Sequence, residues 1–572
     1  MRFNDLWLIL LFFIPVIESF SRQWGLFFLF SGVFLFTYPF LWRGKIRLDI
    51  LDFLFLVFII LALFSGLFSI SQSRSFIELG RYVAYLLLFI TIREKDELRR
   101  RLSGYITASI ILNAFLLSFV YSVYLILGKF LPPVTSGMNL FFPVFGHNKM
   151  TVILIMAIPL LIELIFYTPL RRKKIFFILL LIIFSIFLII SLSRGAVWSL
   201  AVSLGIYFLL VRRSHSGIAK ILTVYITAAV ALFLTIFIFS NFIIPGKKGA
   251  ALYSGIYKPA VNEKRGAYWQ QAVKGFTLSP VIGSGLDTFR YISKKYQTQT
   301  ASWSWYTHNH FLQLFAELGF FGGFIFLIFI ISMFFASYRT INKIKTIDPV
   351  NRGLLIALTA SAIHSLIDFD WQFVSVLFFV FAGFASVLPK EEESAYVNPR
   401  LIYLTAAVII GFNLIITRDS DKVLTEADKL SRNGQYEKAE IKLIRAVNLD
   451  EGYNELHKKL ASYYVQSGNY PAAHYWYYRS ISANPLDSGE EIKTDYLLYL
   501  QEAGEALVSG QKETVSEIIS KGERYYPVFH EKYGKETPGK NDLDYYVKIM
   551  KRLVSENHLR SWELKKYFGN LR

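Results

Sequence analysis

The sequence predicts an all-α protein: a polytopic membrane helix bundle of about 13 spans, followed by an α-helical repeat domain. Three observations predict this. The 572 residues are 54% hydrophobic and only 18% charged, whereas a soluble domain carries roughly 25% charged residues. Long apolar runs recur as far as Thr417 and then stop. Beyond that point the chain becomes charged, and a short motif returns at a spacing of 34 residues. An ordinary soluble enzyme, a disordered chain and a fibrous protein are all excluded on these grounds. The absence of cysteine removes disulfides, thiolate metal sites and cysteine nucleophiles together.

Each span needs roughly 20 mostly apolar residues. Runs of that kind lie near residues 5–20, 24–42, 50–70, 75–92, 104–128, 148–168, 175–191, 195–211, 218–243, 309–337, 352–367, 371–388 and 400–417. The first reads as a span and not as a cleaved signal, because no small-residue cleavage site follows it. In the fourth, Glu78 and Arg81 intrude, and their i,i+3 spacing lets them pair.

Orientation follows from lysine and arginine in the short loops. One alternating set of loops holds 21 such residues, including Arg93, Arg99–Arg101 and Arg171–Lys174; the opposite set holds six. The contrast places the N-terminus in the cytoplasm and, with an odd number of spans, the C-terminal domain outside. The chain's surplus of +19 lies wholly in residues 1–417, since residues 418–572 carry 24 basic and 24 acidic side chains. A basic membrane part beside a neutral soluble part points to anionic lipid or phosphate chemistry and away from nucleic acid.

The domain at 418–572 has its own periodicity. Asn433-Gly434-Gln435-Tyr436 returns as Gly468-Asn469-Tyr470, and Ala439 returns as Ala473. A third, degenerate copy has Gly510 and Pro527, each 42 residues past its counterpart, which implies an insertion. A helix–turn–helix of this period resembles the tetratricopeptide repeat. Stacked repeats form a binding surface, so the domain is expected to dock a partner, protein included, without chemistry of its own. The run Tyr475-Trp476-Tyr477-Tyr478 could stack on sugar rings, although at helical spacing part of it must be core.

Ionisable groups at membrane depth are expensive, so their positions inform. Four polar clusters fall at the same predicted outer edge: Gly146-His147-Asn148-Lys149, Ser193-Arg194-Gly195, Thr307-His308-Asn309-His310, and His364 to Asp370. A long loop, 244–307, lies on that side with nine basic and two acidic residues. Its charge and its aromatics (Tyr268, Trp269, Trp303, Trp305, Tyr306) suit an anionic partner or a solvated, interface-anchored face about equally; the four clusters on the same side favour the partner, and loops of this length are more often functional than idle.

The stretch Arg265-Gly266-Ala267-Tyr268-Trp269, then Ser279 to Gly285, then His308-Asn309-His310-Phe311-Leu312-Gln313 with Glu317-Leu318-Gly319, resembles the O-antigen ligase and polymerase family. Ser193-Arg194-Gly195 and His364-Ser365-Leu366-Ile367-Asp368 also fit its pattern, and the resemblance spans roughly residues 1–390. It implies a GT-C-like glycosyltransferase of the bacterial cytoplasmic (inner) membrane. That enzyme transfers a polysaccharide from undecaprenyl (polyprenyl) pyrophosphate to a hydroxyl acceptor outside. The acceptor would be a lipid A-core sugar in lipopolysaccharide biosynthesis, another glycan, or a protein.

The resemblance assigns the pyrophosphate clamp to Arg194 and Arg265, with Lys264 and Arg290 in reserve, and the general base to His308, which could instead cap its helix or donate to the pyrophosphate. The chemistry is compatible. Arginine presents a fixed fork of donors to phosphate oxygens, and histidine, with a free pKa of about 6.5, is the usual base near neutrality. With these cations no metal and no cofactor is required, although Asp368-Phe369-Asp370 has a spacing that could hold a metal. Asn309 is read first as a helix cap. His147 and Asn148 would close the pocket or cap their helix. His364 and Asp368, four apart, could pair and either orient substrate or stitch spans. Glu317 is read as a buried hydrogen-bonding residue. Without a carboxylate pair placed for a covalent intermediate, a single inverting displacement is expected. The alternatives are an O-antigen or exopolysaccharide polymerase, a protein O-oligosaccharyltransferase, a transporter or flippase, and an envelope scaffold. Polar residues gathered at one face argue against transport.

Overall fold

A computed structural model of the protein describes chiefly residues 45–94, 96–130, 146–191, 193–211, 264–298, 302–343, 349–390, 395–398 and 420–525. The expected spans near 5–20, 24–42, 218–243 and 400–417 lie wholly or largely outside the described residues. The chain divides into two compact units, residues 1–290 with 304–417, and residues 291–303 with 418–572.

In the first unit each of the nine other expected spans falls on a helix. These are α1 (Ile50–Leu67), α2 (Gln72–Glu94), α3 (Asp96–Phe130), α4 (Gly146–Tyr167), α5 (Arg171–Ile190) and α6 (Arg194–Val211). After the loop come α7 (Arg265–Leu278) and the short α8 (Phe289–Lys295), whose residues from Tyr291 on belong to the second unit, then α9 (His310–Lys343), α10 (Pro349–Ser365) and α11 (Val374–Val387). Among the described residues, α1, α2 and α5 and the apolar stretches within α3, α4 and α9 are long and apolar enough to cross a membrane, and α6 and α11 contain shorter apolar stretches. The unit is an all-α membrane bundle with one addition: β1 (Ile46–Leu48) pairs antiparallel with β2 (Ala395–Val397).

The aromatic share of the sequence is used in the core. Phe55 stacks on Phe381 with centroids 4.8 Å apart and lies 4.8 Å from Phe329, joining α1, α9 and α11. Such rings add about 0.5–1.5 kcal/mol per pair beyond their area. Polar groups gather at the two ends. At one end Asp49 caps α1 and forms a capping box with Asp52. Arg93 donates to Asp49 (2.9 Å) and Asp52 (3.0 Å), and Lys390 reaches Asp52 at 2.7 Å. Segments near 47, 93 and 390, which charge alternation assigns to one side, therefore meet. The Glu78–Arg81 pair forms, and Arg81 also donates to the carbonyl of Gln372 at 2.8 Å.

A second buried ion pair ties α4 to α10. Arg352 donates to both carboxylate oxygens of Glu163 (2.6 and 3.0 Å) and to the Tyr167 hydroxyl (2.7 Å). Removing one partner strands the other charge in a low-dielectric interior. Arg352→Met is therefore expected to destabilise the bundle by about 3–5 kcal/mol, measured as a lower midpoint of thermal unfolding. Arg352→Met/Glu163→Met should recover most of that loss.

α9 is two helices merged across Gly319, whose φ is 67°. The break lets the chain before α8 lie along it. Phe320 N–H donates to the Pro280 carbonyl (2.7 Å), Gly285 N–H to that of Glu317 (2.8 Å), and Ser284 N–H to that of Ala316 (3.3 Å).

The second unit consists of α12 (Ser420–Arg432), α13 (Tyr436–Leu449), α14 (Asn454–Gln466), α15 (Tyr470–Ala483), α16 (Gly489–Val508) and α17 (Lys512–Tyr525). Gly434, Gly468 and Gly510, with φ of 73°, 74° and 81°, end the first helix of each hairpin. This is the left-handed position glycine adopts without a Cβ penalty. The longer third spacing has a local cause, since α16 has 20 residues where α14 has 13. Ala439, Ala473 and Val515 are fully buried at matching places. Tyr477 is core while Tyr475 and Tyr478 are exposed, so the aromatic run splits as helical spacing requires. The loop segment 291–303 packs within this unit. Tyr291 lies against Gly452, Lys294 donates to Asn454 (3.2 Å), and Gln297 donates to Asn484 (2.9 Å) and Asp487 (3.0 Å).

Candidate functional site

The site forms where α7 and α9 begin and where α10 turns into α11. Asn309 caps α9: its side-chain oxygen accepts from Leu312 N–H at 2.9 Å. Thr307 secures the same corner, with its hydroxyl accepting from Asn309 N–H at 3.1 Å. Between them His308 has φ of 56°, a left-handed conformation uncommon for a non-glycine residue. Strain of this kind collects where surrounding structure holds a side chain in one orientation.

That orientation aims the imidazole at Asp368, with Nδ1 3.0 Å from Oδ1. A proton on Nδ1 facing the carboxylate leaves Nε2 as the acceptor. Tyr268 of α7 stacks on the ring at 5.6 Å, and Phe369 meets it edge-on at 4.7 Å. The imidazole is thus fixed on three sides and still 19% exposed.

Asp368 is buried and shared. Its Oδ1 also accepts from Phe369 N–H (2.8 Å), and its Oδ2 accepts from Arg265 at 3.3 Å. Burial pushes against ionisation, but the hydrogen bond to His308 and the neighbouring His364 and Arg265 outweigh it and hold the carboxyl below its ordinary range. Arg265 opens α7 and its side chain is 31% exposed, so one guanidinium can touch Asp368 and still face solvent.

Arg194 opens α6 and is exposed. Its neighbour Gly195 is packed so closely on α10 that a Cβ there would lie 2.9 Å from Ile367 and 3.2 Å from His364 Nε2. Through that contact the start of α6 adjoins the turn bearing Asp368. Lys264 is the exposed residue before α7, and its side chain makes no capping bond. Arg290 is placed differently. It donates twice to Asp287 (2.7 and 2.9 Å) and lies 4.4 Å from the ring centre of Trp305. His147 and Asn148 sit in the first turn of α4, and their side chains lie outside the described residues.

His364 takes a different partner from the one its spacing suggests. Its Nδ1 bonds Asp370, not Asp368. Two His–Asp pairs therefore flank Phe369, with Asp368 bonded to His308 and Asp370 to His364. Among the described residues no group of three or more His, Asp or Glu side chains could hold a metal ion.

Glu317 accepts from the N–H groups of Asp287 and Phe289 (both 3.1 Å) and from Gln313 (3.0 Å). It organises the loop from within the bundle, as a buried hydrogen-bonding residue should. Sequence reasoning gave Phe369 and Gln313 no individual role, read Tyr306 only as one of the loop aromatics, and read Asp370 only as half of a metal-type spacing. Tyr306 stacks on Phe369 at 5.2 Å, and burial followed by the charge of Asp287 pushes its hydroxyl up to about 12, so it stays protonated.

Residues 179–327 match the family model described as O-antigen ligase. The matched segment includes Arg194, Lys264, Arg265, Arg290, His308 and Asn309, and stops before His364 and Asp368. A comparison with curated proteins finds no match.

Proposed function

We propose that this chain, which carries an O-antigen ligase family domain, is a membrane glycan ligase. It moves a polysaccharide from a polyprenyl pyrophosphate to a hydroxyl acceptor on the outer side of the cytoplasmic membrane. The observation that carries the reading is the Arg265–Asp368–His308 cluster, with its imidazole pinned and its guanidinium partly open.

In the proposed reaction, Arg194 and Arg265 hold the pyrophosphate oxygens, and removing either is expected to cost about 10²–10³-fold in rate. His308 Nε2 takes the proton of the acceptor hydroxyl as its oxygen bonds to the anomeric carbon. The bond from that carbon to the phosphate oxygen breaks in the same step. The pyrophosphate leaves on its lipid, and the configuration inverts. Lys264 supplements the positive field, while Arg290, already taken up by Asp287, shapes the loop instead of contacting phosphate. The second unit is read as a tetratricopeptide-type module that presents or recruits the acceptor.

The glycans of a strain lacking the chain test this reading. A ligase defect is expected to leave long glycan on its lipid carrier. Accumulation of single repeat units would instead assign polymerisation, and loss of glycoproteins would assign transfer to protein. Linkage analysis of the product checks inversion, and a retained configuration would reject the single displacement.

A further inference from the structure

The first turn of α5 holds Arg171, Arg172, Lys173 and Lys174 in succession, the first three exposed. Other cations of the bundle take carboxylates: Arg93 and Lys390 take Asp52, Arg47 takes Glu94, and Arg352 takes Glu163. None of the four forms an ion pair among the described residues. Glu163, on the preceding helix, is already occupied by Arg352 and the Tyr207 hydroxyl. Four like charges in one turn repel one another, and they sit at the positive end of the helix dipole. Among the described residues no carboxylate compensates that cost.

The rest of α5 indicates where compensation comes from. Leu170, Ile175, Phe176, Leu179, Ile182, Ile186 and Ile190 are each 40% exposed or more, leaving an apolar face along the whole helix. Such a face at a membrane span borders acyl chains, which puts the first turn at headgroup level. Lysine and arginine beside a span attract anionic headgroups.

The geometry points to a binding site for anionic phospholipid at Arg171–Lys174, with the phosphate headgroup as counter-ion and α5 as the wall for its acyl chains. The partner is a membrane lipid, not a soluble phosphate, because only a lipid satisfies the cations and the apolar face together.

The test uses the full chain in phosphatidylcholine bilayers with spin-labelled phosphatidylglycerol or spin-labelled phosphatidylcholine as probe. The expected result is a preference for the anionic probe that falls by up to about fivefold for each cation neutralised. It should largely vanish in R171Q/R172Q/K173Q/K174Q and persist in R171K/R172K, since a headgroup reads charge. Unchanged helical circular dichroism confirms that the glutamine variant folds. An undiminished preference in that folded variant overturns the site. So does a cluster that binds inorganic phosphate in detergent while lipid preference is the same with and without it. Because no transfer activity is read, either failure leaves the glycan ligase reading untouched.

Discussion

His308→Ala is expected to lower glycan transfer by about 10²–10⁴-fold in a chain that still folds. The ring is partly exposed, and its loss leaves Asp368 with Arg265 and the Phe369 N–H as partners. Transfer from a lipid-linked donor, measured beside gel-filtration behaviour and circular dichroism, checks both halves. Near-normal turnover would remove the proposed base. Asp368→Asn provides a sharper version. An amide turned to present its N–H to Nδ1 moves the imidazole proton to Nε2, where the acceptor hydroxyl needs a lone pair. A loss of up to about 10⁴-fold is expected from the wrong tautomer. Asp370→Asn leaves that tautomer alone, because its partner is His364, and should cost far less. Equal losses from the two asparagines would mean that both act only by holding the turn.

Gly283→Ala is expected to be the most damaging small substitution in the loop. Position 283 has φ of 77°, and a Cβ there would meet the Glu317 carbonyl oxygen at 2.2 Å and Gly319 N at 2.5 Å. Both are backbone atoms, so no side chain can step aside. Strain and displacement together should cost on the order of 3–5 kcal/mol. The loss would appear as poor yield and a lower unfolding midpoint. Gly266→Ala is the matched control: nothing lies within 4 Å of a Cβ there, and a helical alanine is favoured by about 0.5–1 kcal/mol. If Gly266→Ala proves the more harmful of the two, the close approach of 279–285 to α9 is wrong.

Hydropathy located each described span because a long run of apolar residues is a local property, whether it faces outward, as along α5, or into the bundle, as in α2, α4 and α11. Spacing was less informative once helices ended. The four-residue interval between His364 and Asp368 suggested a pair on one helical face, but α10 stops at Ser365. Asp368 N–H closes the last turn on the His364 carbonyl (2.9 Å), and the chain then brings Asp370 round to the imidazole. Partners far apart in sequence were not legible at all. Nothing local in Glu317 tells that it collects N–H groups 28 and 30 residues earlier. The positive φ of His308 likewise goes with Thr307 and Asn309 closing the corner, an arrangement that its sequence neighbours alone do not announce. The clusters at 194, 265, 308 and 368 were legible as chemistry that the membrane would not tolerate without a purpose.

The association of residues 291–303 with the repeat helices bears on how deletion strains are interpreted. Cutting the chain after Thr417 would strip Tyr291, Lys294 and Gln297 of Gly452, Asn454 and Asn484, leaving a stretch with apolar and polar faces uncovered next to Asp287 and Arg290. An inactive truncate would therefore not prove that the missing helices recruit a substrate. Replacing Gln297 and Lys294 in the intact chain separates the two causes, since it loosens the packing and leaves every repeat helix in place.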